Sequence, residues 1–129
     1  MKRWQYRLTS LERATALLTR ALAIPQPDET QEAGIVQFFE VAFELGWKVC
    51  KDYVESEEGL SPTSPRHTLQ LAYSTGLIAD AHTWIDALEK RNLLAHTYDE
   101  TRMREALIRI RTHYAPVISA LIANLRARG

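Results

Sequence analysis

Apolar residues recur along this chain at three- and four-residue steps. No stretch sustains the strict alternation and β-branched enrichment of a strand. From about Trp4 to Ile24, the residues Leu8, Leu11, Ala14, Leu18, Ala21 and Leu22 fall on one side of a predicted helix. Pro25 and Pro27, in IPQPDET, end it because proline lacks the N–H that would continue the ladder. A second helix is predicted from about Glu29 to Glu57. Its polar residues Gln37, Glu40, Glu44, Lys48, Lys51 and Glu55 step by three and four, and Glu44 before Lys48 is the favourable order for an i,i+4 ion pair. Almost everything between them is apolar, so this helix is expected to be covered on two sides, by its own bundle and by a second subunit.

The stretch EEGLSPTSPRH reads as a loop, with Gly59 as a helix stop. Ser64 then fits an N-cap followed by Pro65 in the first helical position, opening a short helix to about Tyr73 that ends near Gly76. Another helix starts around Asp80 and carries Trp84, Ile85, Leu88 and Leu93. The last runs from about Tyr98 to the C-terminus, with Met103, Ala106, Leu107, Ile110, Tyr114, Val117, Ile118, Leu121 and Leu125 inward and a kink expected at Pro116. The pattern predicts an all-α bundle of four long helices with a short additional one.

Composition leaves that picture in place. A chain of 129 residues with 46% hydrophobic and 25% charged residues fits one domain spanning 1–129. The lone Cys50 cannot form an internal disulfide, no apolar run is long enough to cross a bilayer, and MKRWQYRLTS lacks the apolar core of a signal peptide. A cytoplasmic protein, with no membrane association, is the expectation. The net charge of zero conceals an asymmetry: Asp28 to Glu58 is strongly acidic, whereas the segment after Thr101 carries Arg102, Arg104, Arg109, Arg111, Arg126 and Arg128 against Glu105 alone. Such a distribution suits an anionic ligand, two copies packing acidic face to basic face, or simply solvated helix faces.

The densest chemistry lies in KRNLLAHTYDE, residues 90–100. Arg91 and His96 are five residues apart, about 140° around a straight helix, whereas Asn92 and His96 share a face. Thr97 followed by Glu100 reads as a capping box, so that one helix ends near His96 and the next begins almost at once. Arginine forks onto phosphate oxygens, and histidine exchanges a proton near neutral pH. Together they suffice for metal-independent RNA cleavage, in which the 2′-hydroxyl attacks the adjacent phosphate. The same residues equally describe a helix C-terminus whose Arg and His suit its dipole. Spacing alone leaves both readings standing.

Elsewhere the chemistry is sparse. His67, His82 and His113 lack ligand spacing, no glycine-rich phosphate loop is present, and Cys50 lies on the apolar side of its helix. No metal or cofactor is expected. Phe38, Phe39, Phe43 and Trp47 fall at core spacing.

Three blocks, FFEVAFELGWKVCKDYVE (38–55), SPRHTLQLAYSTGLIAD (64–80) and WIDALEKRNLLAHTYDE (84–100), resemble successive blocks of the nucleotidyltransferase substrate-binding proteins, a branch of the HEPN superfamily. The resemblance covers nearly the whole chain in order, and RNLLAHTYDE is its specific part. It implies an up-and-down helical bundle forming a homodimer, encoded beside a small nucleotidyltransferase that is its partner and antitoxin. It further implies a toxin that cleaves RNA without metal through Arg, four to six residues, then His. By position, Arg91 and His96 match that pair, and Asn92 belongs with them. Tyr98 matches a tyrosine to which the partner transfers AMP, silencing the toxin. Leu94 and Ala95 depart from the small polar residues relatives often carry before the His. In the nuclease reading, the two Arg91–His96 pairs line one cleft at the dimer seam, fed by the C-terminal arginines. The alternative, behind the family's older name, is a non-catalytic subunit that binds a nucleotide or substrate for the nucleotidyltransferase.

Overall fold

The computed structural model describes residues 1–95 and 99–129. Among these, all regular structure is helical. The elements are α1 (Arg3–Leu22), α2 (Glu29–Glu57), α3 (Pro65–Ser74), α4 (Ala81–Ala95), α5 (Glu100–Arg109), a π turn (Ile110–Tyr114) and α6 (Ala115–Arg128). The turn joins α5 and α6 into one rod, which with α1, α2 and α4 makes four long helices and leaves α3 as the short addition.

Local chemistry explains most of the boundaries. α1 ends at Leu22, slightly before the expected Ile24, because the residue preceding a proline is driven out of helical geometry. Asp28 caps α2 reciprocally with Gln31: each backbone N–H donates to the other's side chain at 2.9 Å. Gly59 stops α2 at φ +66°, where an L side chain would be strained. Ser64 accepts from the His67 N–H at 3.0 Å, with Pro65 following in the first turn of α3. Gly76, at φ +83°, closes α3 as its N–H meets the Tyr73 carbonyl and the Leu77 N–H meets that of Ala72. Asp80 opens α4 by accepting from Thr83.

One local expectation is corrected. The N-cap of α5 is Asp99, which accepts from Thr101 N–H at 2.8 Å and Arg102 N–H at 3.2 Å; Thr97, the expected cap, lies outside the described residues. Asp99 sits directly before the helix, where its short carboxylate reaches the second and third orphan donors. Just upstream of Pro116, where a kink is expected, the helix opens into the π turn. Ala115 N–H reaches back five residues to the Ile110 carbonyl, widening the helix ahead of a residue that has no N–H and whose ring crowds the preceding turn.

Contacts between elements give the directions. Trp4 meets Glu57 and Arg7 meets Asp52, so α1 and α2 are antiparallel. Phe39 stacks on Tyr114 and Tyr53 meets Arg128, so the C-terminal rod runs parallel to α2. Asp86 contacts Arg109 and Tyr114 while Leu77, just before α4, meets Asn124; α4 therefore runs against that rod. This is an up-and-down bundle.

α2 packs against α1, α3, α4, α5 and α6, which accounts within the chain for most of its wide apolar arc. Ile35, Phe39, Ala42, Phe43, Val49 and Cys50 are buried, Phe38, Leu45 and Trp47 half-buried, and Val41 exposed. Aromatic rings link the helices through the centre: Tyr114 to Phe39, Phe39 to Phe43 and Phe43 to Trp84, with centroids 5.4, 5.8 and 5.6 Å apart. Cys50 is fully buried, and burial pushes its thiol up to about 12. It is expected to resist a thiol alkylating agent in the native protein and to react at once in denaturant, which a mass shift under the two conditions would read. No helix among the described residues is long and apolar enough to cross a membrane.

Candidate functional site at the end of helix α4

Arg91 stands on the last full turn of α4, with about a quarter of its side chain exposed. Its guanidinium is ion-paired with the Glu44 carboxylate of α2. The other oxygen of that carboxylate accepts a hydrogen bond from the Trp47 indole N–H at 2.9 Å. Glu44 thus spends its charge across the α2–α4 seam. The expected i,i+4 pair with Lys48 is replaced, and the Lys48 ammonium lies 6.0 Å from the centre of the Trp47 ring instead. Asn92, the next residue, is exposed. His96 and Tyr98 lie outside the described residues.

The approach of α4 to α2 is set by a glycine. Gly46 lies under the Trp84 ring so closely that a Cβ there would sit 2.8 Å from Cη2. Trp84 is 1% exposed and packs on Phe43, so α4 is seated on α2 within two residues of Glu44.

On its other side α4 is held to the C-terminal rod by Asp86. One carboxylate oxygen takes Lys90 at 2.8 Å; the other accepts from the Tyr114 hydroxyl at 2.6 Å and lies 3.5 Å from Arg109. Burial alone would raise the Asp86 carboxyl, but Lys90, Tyr114 and Arg109 outweigh it and hold it below its ordinary value. Burial, and then the same carboxylate, push the Tyr114 hydroxyl up to about 12. A depressed carboxyl stabilises the fold above its ordinary pKa, and the contribution is lost as pH falls through the folded value. Tyr114→Phe should therefore lower stability by about 1–2 kcal/mol at neutral pH, with the gap to wild type narrowing in acid; urea titrations at the two conditions test this.

The C-terminal arginines serve the fold more than the site. Arg126 pairs with Glu12, Arg111 donates to the Leu22 carbonyl, and Arg128 donates to the Tyr53 hydroxyl, the Gly76 carbonyl and Asn124. These contacts staple the rod to α1, to α2 and to the end of α3. The exposed Arg102 and Arg104, in the first turns of α5, stand nearer in sequence to the motif. Among the described residues, no three His, Cys, Asp or Glu side chains gather as metal ligands would.

Glu44 and Trp47 are the site residues that sequence reasoning assigned elsewhere, to a helical ion pair and to the core. No local pattern marks them, since the partner is 47 residues away.

Comparison with known proteins places this chain in a family. Residues 6–127 match the model described as nucleotidyltransferase substrate binding protein like, and the chain belongs to that family. It is 28% identical over 110 residues to the probable ribonuclease HepT of Haemophilus influenzae, a match spanning 80% of this chain and 75% of that protein. A solved protein of Thermus thermophilus is 28% identical and superposes with a TM-score of 0.76, over 92% of this chain and 97% of the other. A Shewanella oneidensis HEPN toxin, solved tri-AMPylated and in complex with its MNT antitoxin, is 14% identical and shares the fold, with a TM-score of 0.79 over 98% and 99% of the two chains.

Proposed function

We propose that this protein is a metal-independent endoribonuclease toxin of the HEPN class, acting as a homodimer and silenced by a small nucleotidyltransferase. The observation that carries the reading is Arg91: a partly exposed guanidinium, fixed by Glu44 on the last full turn of α4, in a chain matching the family along nearly its whole length. Likeness to the probable ribonuclease HepT supports the activity. The fold shared with an AMPylated toxin in complex with its antitoxin supports the partner.

In this reading His96 takes the proton of an RNA 2′-hydroxyl, and the oxygen attacks the neighbouring phosphorus. The bond to the 5′-oxygen breaks, and a protonated histidine, its own or that of a second copy, supplies the proton to the leaving group. Arg91 neutralises the charge that grows on the phosphoryl oxygens, and Asn92 helps hold the RNA. The products are a 2′,3′-cyclic phosphate and a 5′-hydroxyl. Tyr98 is the acceptor of AMP from the partner enzyme.

The test is incubation of the purified protein with cellular RNA in EDTA. Fragments with cyclic phosphate ends support the proposal; intact RNA throughout, or cleavage only after a metal is added, rejects it. Co-expression with the nucleotidyltransferase should add the mass of one or more AMP groups to the peptide containing Tyr98, and an unmodified peptide rejects that part. The family's own description favours a second reading, a non-catalytic subunit that binds a nucleotide or substrate for the transferase. Nucleotide binding in a calorimetric titration, without RNA turnover, would decide for it.

A further inference from the structure

Arg91 reaches its place with help from another helix. An arginine has many rotamers, and on its own it would spread over a wide arc beyond α4. Here the Glu44 carboxylate takes the guanidinium with one oxygen, while Trp47 donates to the other at 2.9 Å and stops the carboxylate turning. Trp47 is half-buried and packed on the core, and Glu44 and Trp47 share a face of α2 as residues three apart. The chain of support runs from the core through the indole and the carboxylate to the guanidinium. A pair this exposed contributes little to stability, so its value lies elsewhere.

We propose that Glu44, braced by Trp47, is a positioning residue for RNA cleavage: it sets the orientation in which Arg91 meets the phosphate. The proposal rests on the nuclease reading of Arg91. It carries a signature that a purely structural role lacks. The carboxylate cancels part of the attraction Arg91 exerts on RNA before reaction, which weakens binding. The orientation it imposes counts most in the transition state, where the phosphoryl charge is largest. Glu44 therefore acts in opposite directions on binding and on turnover.

The experiment is steady-state cleavage of a short RNA by full-length wild type, Glu44→Ala and Trp47→Phe, with thermal melting of each. Glu44→Ala is expected to lower kcat about 10- to 100-fold, as a misplaced group does. Its KM should stay the same or fall, and its binding should become more sensitive to salt, because one more uncancelled charge faces the RNA. Trp47→Phe keeps an aromatic ring, though a smaller one, and loses the donor, so kcat should fall by a smaller factor with KM unchanged. A Glu44→Ala enzyme with wild-type kcat overturns the proposal. So does a loss of kcat matched by a rise in KM, or by an equal loss of folded protein. A wild type that cuts no RNA removes the nuclease reading and this proposal with it; an active wild type indifferent to Glu44 removes this proposal alone.

Discussion

Replacing Arg91 with alanine is expected to lower RNA cleavage about 10²- to 10³-fold, the loss typical when one donor to a developing anion is removed. The fold should scarcely notice. The side chain is about a quarter exposed, its partner Glu44 more so, and pairs of this kind contribute less than about 1 kcal/mol. The melting temperature should fall by a few degrees at most, which separates loss of chemistry from loss of structure. Replacing His96 should cost about 10²- to 10⁴-fold through loss of the proton-transferring group. The double variant should be little worse than the poorer single, because the two groups serve one transition state. In cells, both variants should relieve growth arrest when the protein is expressed without its partner. An Arg91→Ala protein that melts normally and still cuts at the wild-type rate would show that the guanidinium is not the phosphate clamp.

Trp84→Ala should have the largest effect on stability, about 3–5 kcal/mol, as expected for emptying the site of a fully buried indole. Against a total stability of about 5–15 kcal/mol, that threatens the native state itself. The opposite error, filling the space beneath the ring, is subtler. Gly46→Ala should gain about 1 kcal/mol from helix propensity alone. The added methyl would lie 2.8 Å from Cη2 and 3.2 Å from Cζ3 of a ring that is 1% exposed and enclosed by the core. Overpacking of this kind costs about 1–3 kcal/mol, so the net effect is expected to be destabilising. Placing Gly46→Ala in a Trp84→Leu background should cancel the penalty and let the helix preference show. Urea unfolding of the two singles and the double measures the coupling, and a Gly46→Ala protein as stable as wild type would mean that the ring yields freely.

The fold was legible in the sequence wherever its determinants are local. Pro25, Pro27, Gly59, Ser64-Pro65 and Gly76 each act within a few residues, and each marks a helix end in the structure. Apolar spacing identified the buried faces for the same reason. What needed the structure depends on helices meeting. The charge of Glu44 could be assigned to Lys48 by spacing, yet it goes to Arg91 across the seam. Arg126 and Arg128 looked available to an anionic ligand until they were found tied to Glu12, Tyr53 and Gly76. Nothing in the sequence singles out Gly46, because its meaning lies in Trp84, two helices further along the chain. Of the site, the sequence motif supplied Arg91 and its position near a helix end, and packing supplied the two residues that aim it.

The π turn at Ile110–Tyr114 bears on how the chain tolerates changes in length. Such a turn holds one residue more than a regular helix needs to make the same advance, so a deleted residue can be absorbed there. Removing one within it returns the rod to plain α geometry and leaves Ile118, Leu121 and Leu125 facing inward. The same deletion within α6 would rotate everything beyond it by about 100° and turn that apolar stripe toward water.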